Sequence, residues 1–471
     1  MDSARNRLVI NLLLVATFVV ILNETLMAVA IPRLMHDLRV TADAVQWLTT
    51  AFLLTMSVII PVTGFLLQRL NTRPIFILAM SLFSFGTLIA TLAPNLQALV
   101  LARIIQASGT AIMMPLLMTT AMTLAPPETR GKTMGFITTV ISVAPAIGPT
   151  LSGIILNYLS WRWMFALVLP IAIGALLLGA RRMQNVTTPH SAALDGLSVV
   201  LSAIAFGGIV YGLSTIGLPS APGTVPAGVW TAVGAVFLAL FIFRQLSLQK
   251  SGYPLLDLRT FGSRNFTVSV LLMASMMMAL FGTIILLPIY LQNVLGLNTL
   301  QTGLLLLPGG LLMGLLGPHV GRLYDKVGPI RLLVPGVLVV SIVLWAMTLL
   351  GPTTRVVYIL TGHVVMSIGF ALLFTPLFTV SLSSVKASLY SHGSAVIGTI
   401  QQAAGAAGVA LFVALMSARA ARLAAGGVTP IEALSGGVRA GFVCGASISM
   451  FAVLCVLFLR RPEGAGSAVT G

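Results

Sequence analysis

A chain of 471 residues that is 58% hydrophobic and 8% charged, with a mean hydropathy of +1.05, cannot form an ordinary soluble fold, which carries about a quarter charged residues. Its net charge of +16 does not imply nucleic acid, because no water-facing domain carries clustered Lys and Arg. Cys444 and Cys455 fall on one predicted helix, about 16 Å apart by helical rise, so no disulfide framework follows.

Apolar runs of roughly 18 to 25 residues, long enough to cross a bilayer, succeed one another along the chain. About fourteen are predicted, near 8–31, 45–67, 74–92, 97–124, 133–157, 163–180, 194–215, 226–246, 267–291, 302–322, 330–350, 355–381, 392–417 and 440–459. The expected fold is therefore an all-α membrane protein of about fourteen transmembrane helices. The first run mimics a signal peptide, with Arg5 and Arg7, an apolar stretch and Ala28-Val29-Ala30. It is long, however, and holds Asn23 and Glu24, so it reads as a retained span.

An even count puts both termini on one side, and the basic residues choose that side as the cytoplasm. Arg5, Arg7, Arg69, Arg73, Arg130, Lys132, Arg181, Arg182, Arg244, Lys250, Arg259, Arg264, Arg322, Lys326, Arg331, Lys386, Arg460 and Arg461 then fall inside. Outside are Arg33, Arg39, Arg162, Arg355, Arg419, Arg422 and Arg439. This asymmetry accounts for the high pI with lipid headgroups as the partner of the basic face.

The sequence also repeats itself. NETLMAVAIPRL at the end of span 1 resembles FGTIILLPIYLQ at the end of span 9, and Pro288 lies 256 positions after Pro32. GFLLQRLNTRPIFI from Gly64 resembles GRLYDKVGPIRLLV from Gly321, 257 positions on. Arg103, Gly109 and Pro115 in span 4 are answered by His363, Gly369 and Pro376, the first at an offset of 260. The near-constant offset implies two pseudo-symmetric six-helix halves, 1–182 and 251–471, with two inserted helices in 183–250. Duplicated halves enclosing a midplane site are the usual build of secondary transporters.

At the level of motifs the chain resembles the major facilitator superfamily, and within it the fourteen-span drug:proton antiporters that include lincomycin-resistance exporters. The resemblance covers roughly residues 8–460. The loop after span 10 matches G-x-L-x-D-R-x-G-R-R at Gly321, Leu323, Asp325 and Gly328, whereas its counterpart after span 2 has Gln68 for the acid and Asn71 for the second glycine. Span 4 carries L-x-x-x-R-x-x-Q-x-x-G as Leu99, Arg103, Gln106 and Gly109, with Ala107 in place of the usual glycine. In span 5, Ala144 to Gly153 is similar to the antiporter signature G-P-x-x-G-G, through Gly148, Pro149 and Gly153, with Ser152 replacing one glycine. Trp161-Arg162-Trp163-Met164-Phe165, and His392-Gly393-Ser394-Ala395 leading to Gln401-Gln402, also look like this subfamily. The resemblance implies a multi-pass protein of a bacterial plasma membrane, working as a monomer without a cofactor.

Glu24 is the acid that falls well inside a span, and an intramembrane carboxylate is a functional candidate by default. Arg103 lies at a matching depth, about 12 Å below the outer surface by helical rise, so the two groups are expected to meet. Burial and a neighbouring guanidinium act on a carboxylate in opposite senses, which lets movement of Arg103 or arrival of substrate switch its protonation. The family often places Asp in L-D-x-T here, whereas this chain has Leu22-Asn23-Glu24-Thr25, a shift of about 100° around the helix. A proton crossing ~100 mV releases about 2.3 kcal/mol, and one pH unit adds about 1.4 kcal/mol. Against this stands a purely structural acid pinned by Arg103. His363, at the repeat position of Arg103, is a second proton candidate because its reference pKa lies near 6.5. The bland alternative is a satisfied hydrogen-bonding histidine.

Met277 and Phe281, in a run with Met273, Met276 and Met278, offer an adaptable apolar surface for ligands, though such a run also suits plain packing. Asn23, Gln106, Gln401 and Gln402 must find partners in the bundle, and substrate is one candidate. The Gly and Pro residues of span 5 are expected to allow close packing and a bend. Asp325 is expected to cap a helix and latch spans together. Gly131-Lys132-Thr133 ends like a phosphate loop, but Pro126 replaces its first glycine and no strand precedes it. The sequence supports proton-coupled efflux of small apolar or cationic compounds by alternating access. It equally admits export of an endogenous lipid, peptide or metabolite by the same machinery. A membrane enzyme or sensor on such a scaffold would need a soluble insertion or a metal-ligand cluster, and neither is expected.

Overall fold

A computed structural model of the protein describes residues 2–186, 194–215, 225–251 and 254–459. Arg460 and Arg461, placed inside by the charge pattern, lie outside the described residues. Fourteen long helices succeed one another: α1 (Asp2–Leu38), α2 (Ala42–Arg69), α3 (Thr72–Leu92), α4 (Leu96–Leu124), α5 (Arg130–Tyr158), α6 (Arg162–Arg182), α7 (Gly196–Thr215), α8 (Ala227–Ser251), α9 (Arg264–Asn293), α10 (Thr299–Val327), α11 (Ile330–Met347), α12 (Val356–Ser383), α13 (Tyr390–Ala425) and α14 (Pro430–Val456). All fourteen are long and apolar enough to cross a membrane. Both cysteines sit on α14 as free thiols.

Local chemistry sets several ends. Asn95 caps α4 by accepting from the Ala98 amide at 2.9 Å, and Asn298 with Gln301 forms a reciprocal capping box on α10 at 2.8 and 3.0 Å. Gly328 ends α10 in the left-handed region at φ 79°, where a β-carbon would be strained. Helices α1 and α13 outrun their predicted spans of 8–31 and 392–417. Hydropathy marks only the apolar stretch, whereas the polar flanks carry Arg, Ala and Leu, which are good helix formers.

The packing repeats. In the first half α1 lies on α5 and α6, α2 on α4, and α3 on α4 and α6. In the second, α9 lies on α13 and α14, α10 on α12, and α11 on α12 and α14. A short 3-10 turn after α4 (Pro127–Thr129) recurs after α12 (Ala387–Leu389), 260 positions later.

The halves meet along α5 with α10, α2 with α13, α4 with α13 and α5 with α12. Along α5 and α10 the backbones touch: a β-carbon at Gly135 would run into the Gly317 carbonyl, and one at Gly321 into the Gly131 carbonyl. Hydroxyls bridge the same seam. Thr139 donates to the Gly314 carbonyl at 2.7 Å, Thr375 to Thr138 at 2.9 Å, and Thr119 and Ser394 lie 2.7 Å apart. These contacts gather toward the end of the bundle that carries Arg130, Lys132, Lys326 and Lys386, hereafter the basic end. The halves are closed there.

Candidate functional site

Arg103 on α4 is 1% exposed. Its guanidinium donates from Nη1 to Gln106 Oε1 at 3.2 Å and from Nε to the Leu48 carbonyl at 3.5 Å, and it lies 4.0 Å over the Phe52 ring. Gln106 in turn donates from Nε2 to Thr87 Oγ1 at 2.9 Å. One amide thus accepts from the arginine and donates to a threonine, a chain that satisfies a cation where water is scarce. Phe52, on α2, carries no motif and is visible only once the helices are assembled.

Glu24 on α1 is partly exposed and its charge is felt by Arg103. The expected meeting is not a direct ion pair, however, because the guanidinium is turned to Gln106, Leu48 and Phe52. The carboxylate is therefore near a cation without being bound by it. Beside it, Asn23 is 1% exposed with both side-chain polar atoms unpartnered. Thr25, the next residue, packs where α5 has Gly148: a β-carbon on Gly148 would collide with the Thr25 side chain. Gly148 and Pro149 thus bring α5 against the segment of α1 that holds Glu24.

Gly153 departs from the close-packing expectation. A β-carbon there would meet nothing within 4 Å, since it lies on a face of α5 that no neighbour covers at that level.

Asp325 closes the basic end of the seam. Its Oδ1 accepts from the Gly131 amide at 2.7 Å and its Oδ2 from the Lys132 amide at 2.9 Å, so a carboxylate of α10 caps the first turn of α5. Unpaired N–H groups and the positive end of the helix dipole both favour an anion there.

His363 on α12 donates from Nε2 to the Leu306 carbonyl of α10 at 3.2 Å, while its Nδ1 has no partner. Its ring fills the space beside Gly309, and no hydrogen bond or ion pair joins it to Glu24 or Arg103. His363→Gln keeps an amide donor at this place, so on the expectation of proton-coupled efflux its flux should stay within about threefold of wild type, a change worth about 0.7 kcal/mol. Side-by-side flux measurements at pH 6 and 8 check this, and loss of coupling in the variant would make His363 a proton carrier.

The predicted substrate residues divide. Met273 and Met276 are fully buried, Met277 is 4% exposed and Met278 is half-buried. Phe281, by contrast, is 38% exposed and its ring lies against Gly405 on α13. Gln401 and Gln402, one turn before Gly405, are partly exposed on the same helix. The structure thus gathers Glu24, Asn23, Arg103 and Gln106 in the first half and Phe281, Gln401 and Gln402 in the second. The hydroxyl contacts Thr119–Ser394 and Thr138–Thr375 were not legible in sequence, where Ser and Thr in a span look like ordinary packing residues. Among the described residues no three His, Cys, Asp or Glu side chains cluster to hold a metal.

A family model described as Major Facilitator Superfamily matches residues 13–409. The chain is 40% identical to the lincomycin resistance protein LmrB of Listeria monocytogenes over 455 residues, 96% of each chain. It is also 40% identical to the uncharacterized MFS-type transporter YcnB of Bacillus subtilis over 456 residues, 97% of this chain and 95% of that one. Among solved structures it resembles the human organic anion transporter MFSD10 (TETRAN), with a TM-score of 0.68 at 14% identity, covering 96% of this chain and 99% of that one.

Proposed function

Because this chain belongs to the Major Facilitator Superfamily of membrane transporters, we propose that it expels small apolar or cationic compounds in exchange for protons. The observation that carries this reading is the Glu24 carboxylate, set inside a span beside a buried guanidinium that is held by other groups. Such a carboxylate is left free to take a proton or to face a cationic ligand, and an exchanger needs one site to accept both in turn. The name of the 40%-identical lincomycin resistance protein supports drugs as the cargo. Phe281, Gln401 and Gln402 would add an apolar and hydrogen-bonding wall from the other half.

On this reading the basic end faces the cytoplasm with both termini. The seam closed at that end then corresponds to the outward-facing arrangement. Opening it requires Asp325 to leave the start of α5 and the Thr–Ser contacts to part, as one half rocks against the other.

The test is the purified protein in liposomes under an imposed pH gradient. Adding lincomycin or a hydrophobic cation such as ethidium is expected to dissipate the gradient several-fold faster than in protein-free liposomes. If transport of either compound proceeds with no accompanying proton movement, the exchange reading is wrong.

A further inference from the structure

The inserted helices α7 and α8 interrupt the repeat, yet they do not stand apart in the bundle. Helix α7 packs on α2 of the first half and on α13 of the second, beside the seam where those two helices meet each other. Helix α8 packs on α7. The pair therefore touches both halves, and the chemistry of the two contacts differs.

Toward the second half the pair is tied at the basic end by a polar network that runs from Asp195 to the segment leading into α9. Asp195, just before α7, receives Arg244 of α8 through Nε at 3.1 Å and Nη2 at 3.0 Å. The guanidinium of Arg244 and the Ser198 hydroxyl hold the Asp195 carboxyl down at about 2, so it is charged at any physiological pH. Ser198 links Asp195 at 2.5 Å to Gln245 Nε2 at 2.8 Å. Gln245 is fully buried, and its Oε1 accepts from the Leu255 and Leu256 amides at 2.8 and 3.2 Å. Leu255, Leu256 and Asp257 are themselves buried. The segment runs on into the turn Leu258–Gly262, whose Phe261 carbonyl accepts from Thr267 Oγ1 of α9 at 2.8 Å and whose Phe261 ring meets Phe266 of α9 edge-on at 5.5 Å. Each link leaves a buried polar group dependent on the next, so separating them strands donors and acceptors away from water.

Toward the first half the contact is of another kind. Trp47, near the opposite end of α2, stacks on Tyr211 of α7 at 5.9 Å, and Tyr211 meets Trp230 of α8 edge-on at 5.6 Å. Lower down, Gly207 faces Val58. Among the described residues no hydrogen bond or ion pair joins α7 to α2. Aromatic and aliphatic surfaces in a bilayer can slide, because the alternative neighbour is lipid of similar character.

We infer that the inserted pair travels as part of the second half, fastened through Gln245, the Leu255–Asp257 segment and the turn that follows it, and that α2 slides past its Trp47–Tyr211–Trp230 face during transport. The inference rests on the reading that the two halves rock. It makes Gln245 a positioning residue for the inserted pair, without contact to substrate. It also makes the aromatic face a moving seam that covers α2 and α13 as they separate.

Three spin-label pairs test it, placed by cysteine substitution in the full chain after Cys444→Ser and Cys455→Ser. Labels at Leu197 and Lys386 span the fastened side, labels at Thr49 and Val229 span the sliding side, and labels at Glu128 and Lys326 report rocking across the seam. Distances are measured in lipid nanodiscs at pH 5 and 8, with and without ethidium. The expected result is that the rocking pair and the Thr49–Val229 pair change together while Leu197–Lys386 stays constant. In a Gln245→Leu background the Leu197–Lys386 distance should broaden. A fixed Thr49–Val229 distance with a changing Leu197–Lys386 distance would assign the inserted pair to the first half and overturn the proposal. Change at both pairs, or at neither while the rocking pair moves, would overturn it too. If the rocking pair stays fixed under every condition, the alternating-access reading itself fails, and this inference with it.

Discussion

Glu24→Gln is expected to abolish drug-driven proton movement while leaving drug binding within a few-fold of wild type. Glutamine has nearly the shape of a protonated glutamate but cannot release a proton. Arg103 should stay in place, since it is held by Gln106, the Leu48 carbonyl and the Phe52 ring and not by Glu24. A lost proton carrier commonly costs on the order of 100-fold or more, and coupled flux should fall by at least that. The check is proton flux in liposomes with binding of ethidium measured in detergent on the same preparation. Loss of flux with binding retained separates coupling from folding. Coupling at the wild-type rate would move the proton site away from Glu24, with His363 the next candidate. The opposite substitution, Arg103→Leu, is expected to be worse for the protein itself, because it strands the buried Gln106 Oε1 without a donor and removes the cation from the Phe52 ring.

Asp325→Ala is expected to open the basic end. Two charge-assisted hydrogen bonds that Asp325 accepts from the Gly131 and Lys132 amides are lost, and hydrogen bonds to charged groups contribute about 1.5–3 kcal/mol each. The site is part-exposed, so water recovers some of this. Even about 1.4 kcal/mol shifts a two-state equilibrium tenfold. Ala395 reads the shift: it is fully buried on α13 against Gly64 of α2, inside the closed seam. With Ala395→Cys as the reporter and the native cysteines replaced, Asp325→Ala should raise the rate of labelling by a small water-soluble maleimide about tenfold. An unchanged rate would mean that the glycine and threonine contacts alone hold the seam, and that Asp325 is a cap without a latch. Export should slow as well, because a transporter resting in the other state spends less time open to the outside.

Some of this molecule was legible in sequence because it depends on solvent alone. Backbone polar groups in hydrocarbon must be satisfied within a helix, so the fourteen apolar runs had to become helices, and their number and order follow from hydropathy. The repeat at offsets of 256 to 260 likewise anticipates the duplicated packing of α1–α6 and α9–α14. An acid in a span marks itself by its cost, so Glu24 stood out before any contact was known.

What the tertiary structure decided is which groups meet. Depth along a helix is readable from sequence, but azimuth and partner are not, since every apolar helix presents several equivalent faces to lipid or protein. Matching depth placed Glu24 beside Arg103, yet Phe52, Leu48 and Gln106 took the guanidinium. Met277 is buried while Phe281, one turn on, is exposed, a difference that the sequence run does not reveal. Gly148 fits against Thr25 and Gly153 fits against nothing, although both belong to one motif. The polar chain from Asp195 through Ser198 and Gln245 to the Leu255 amide joins residues 60 positions apart. Water decides the helices; only their assembly decides which buried donor finds which acceptor, because each such pairing is selected against the cost of leaving a polar atom alone in a medium with no other partner.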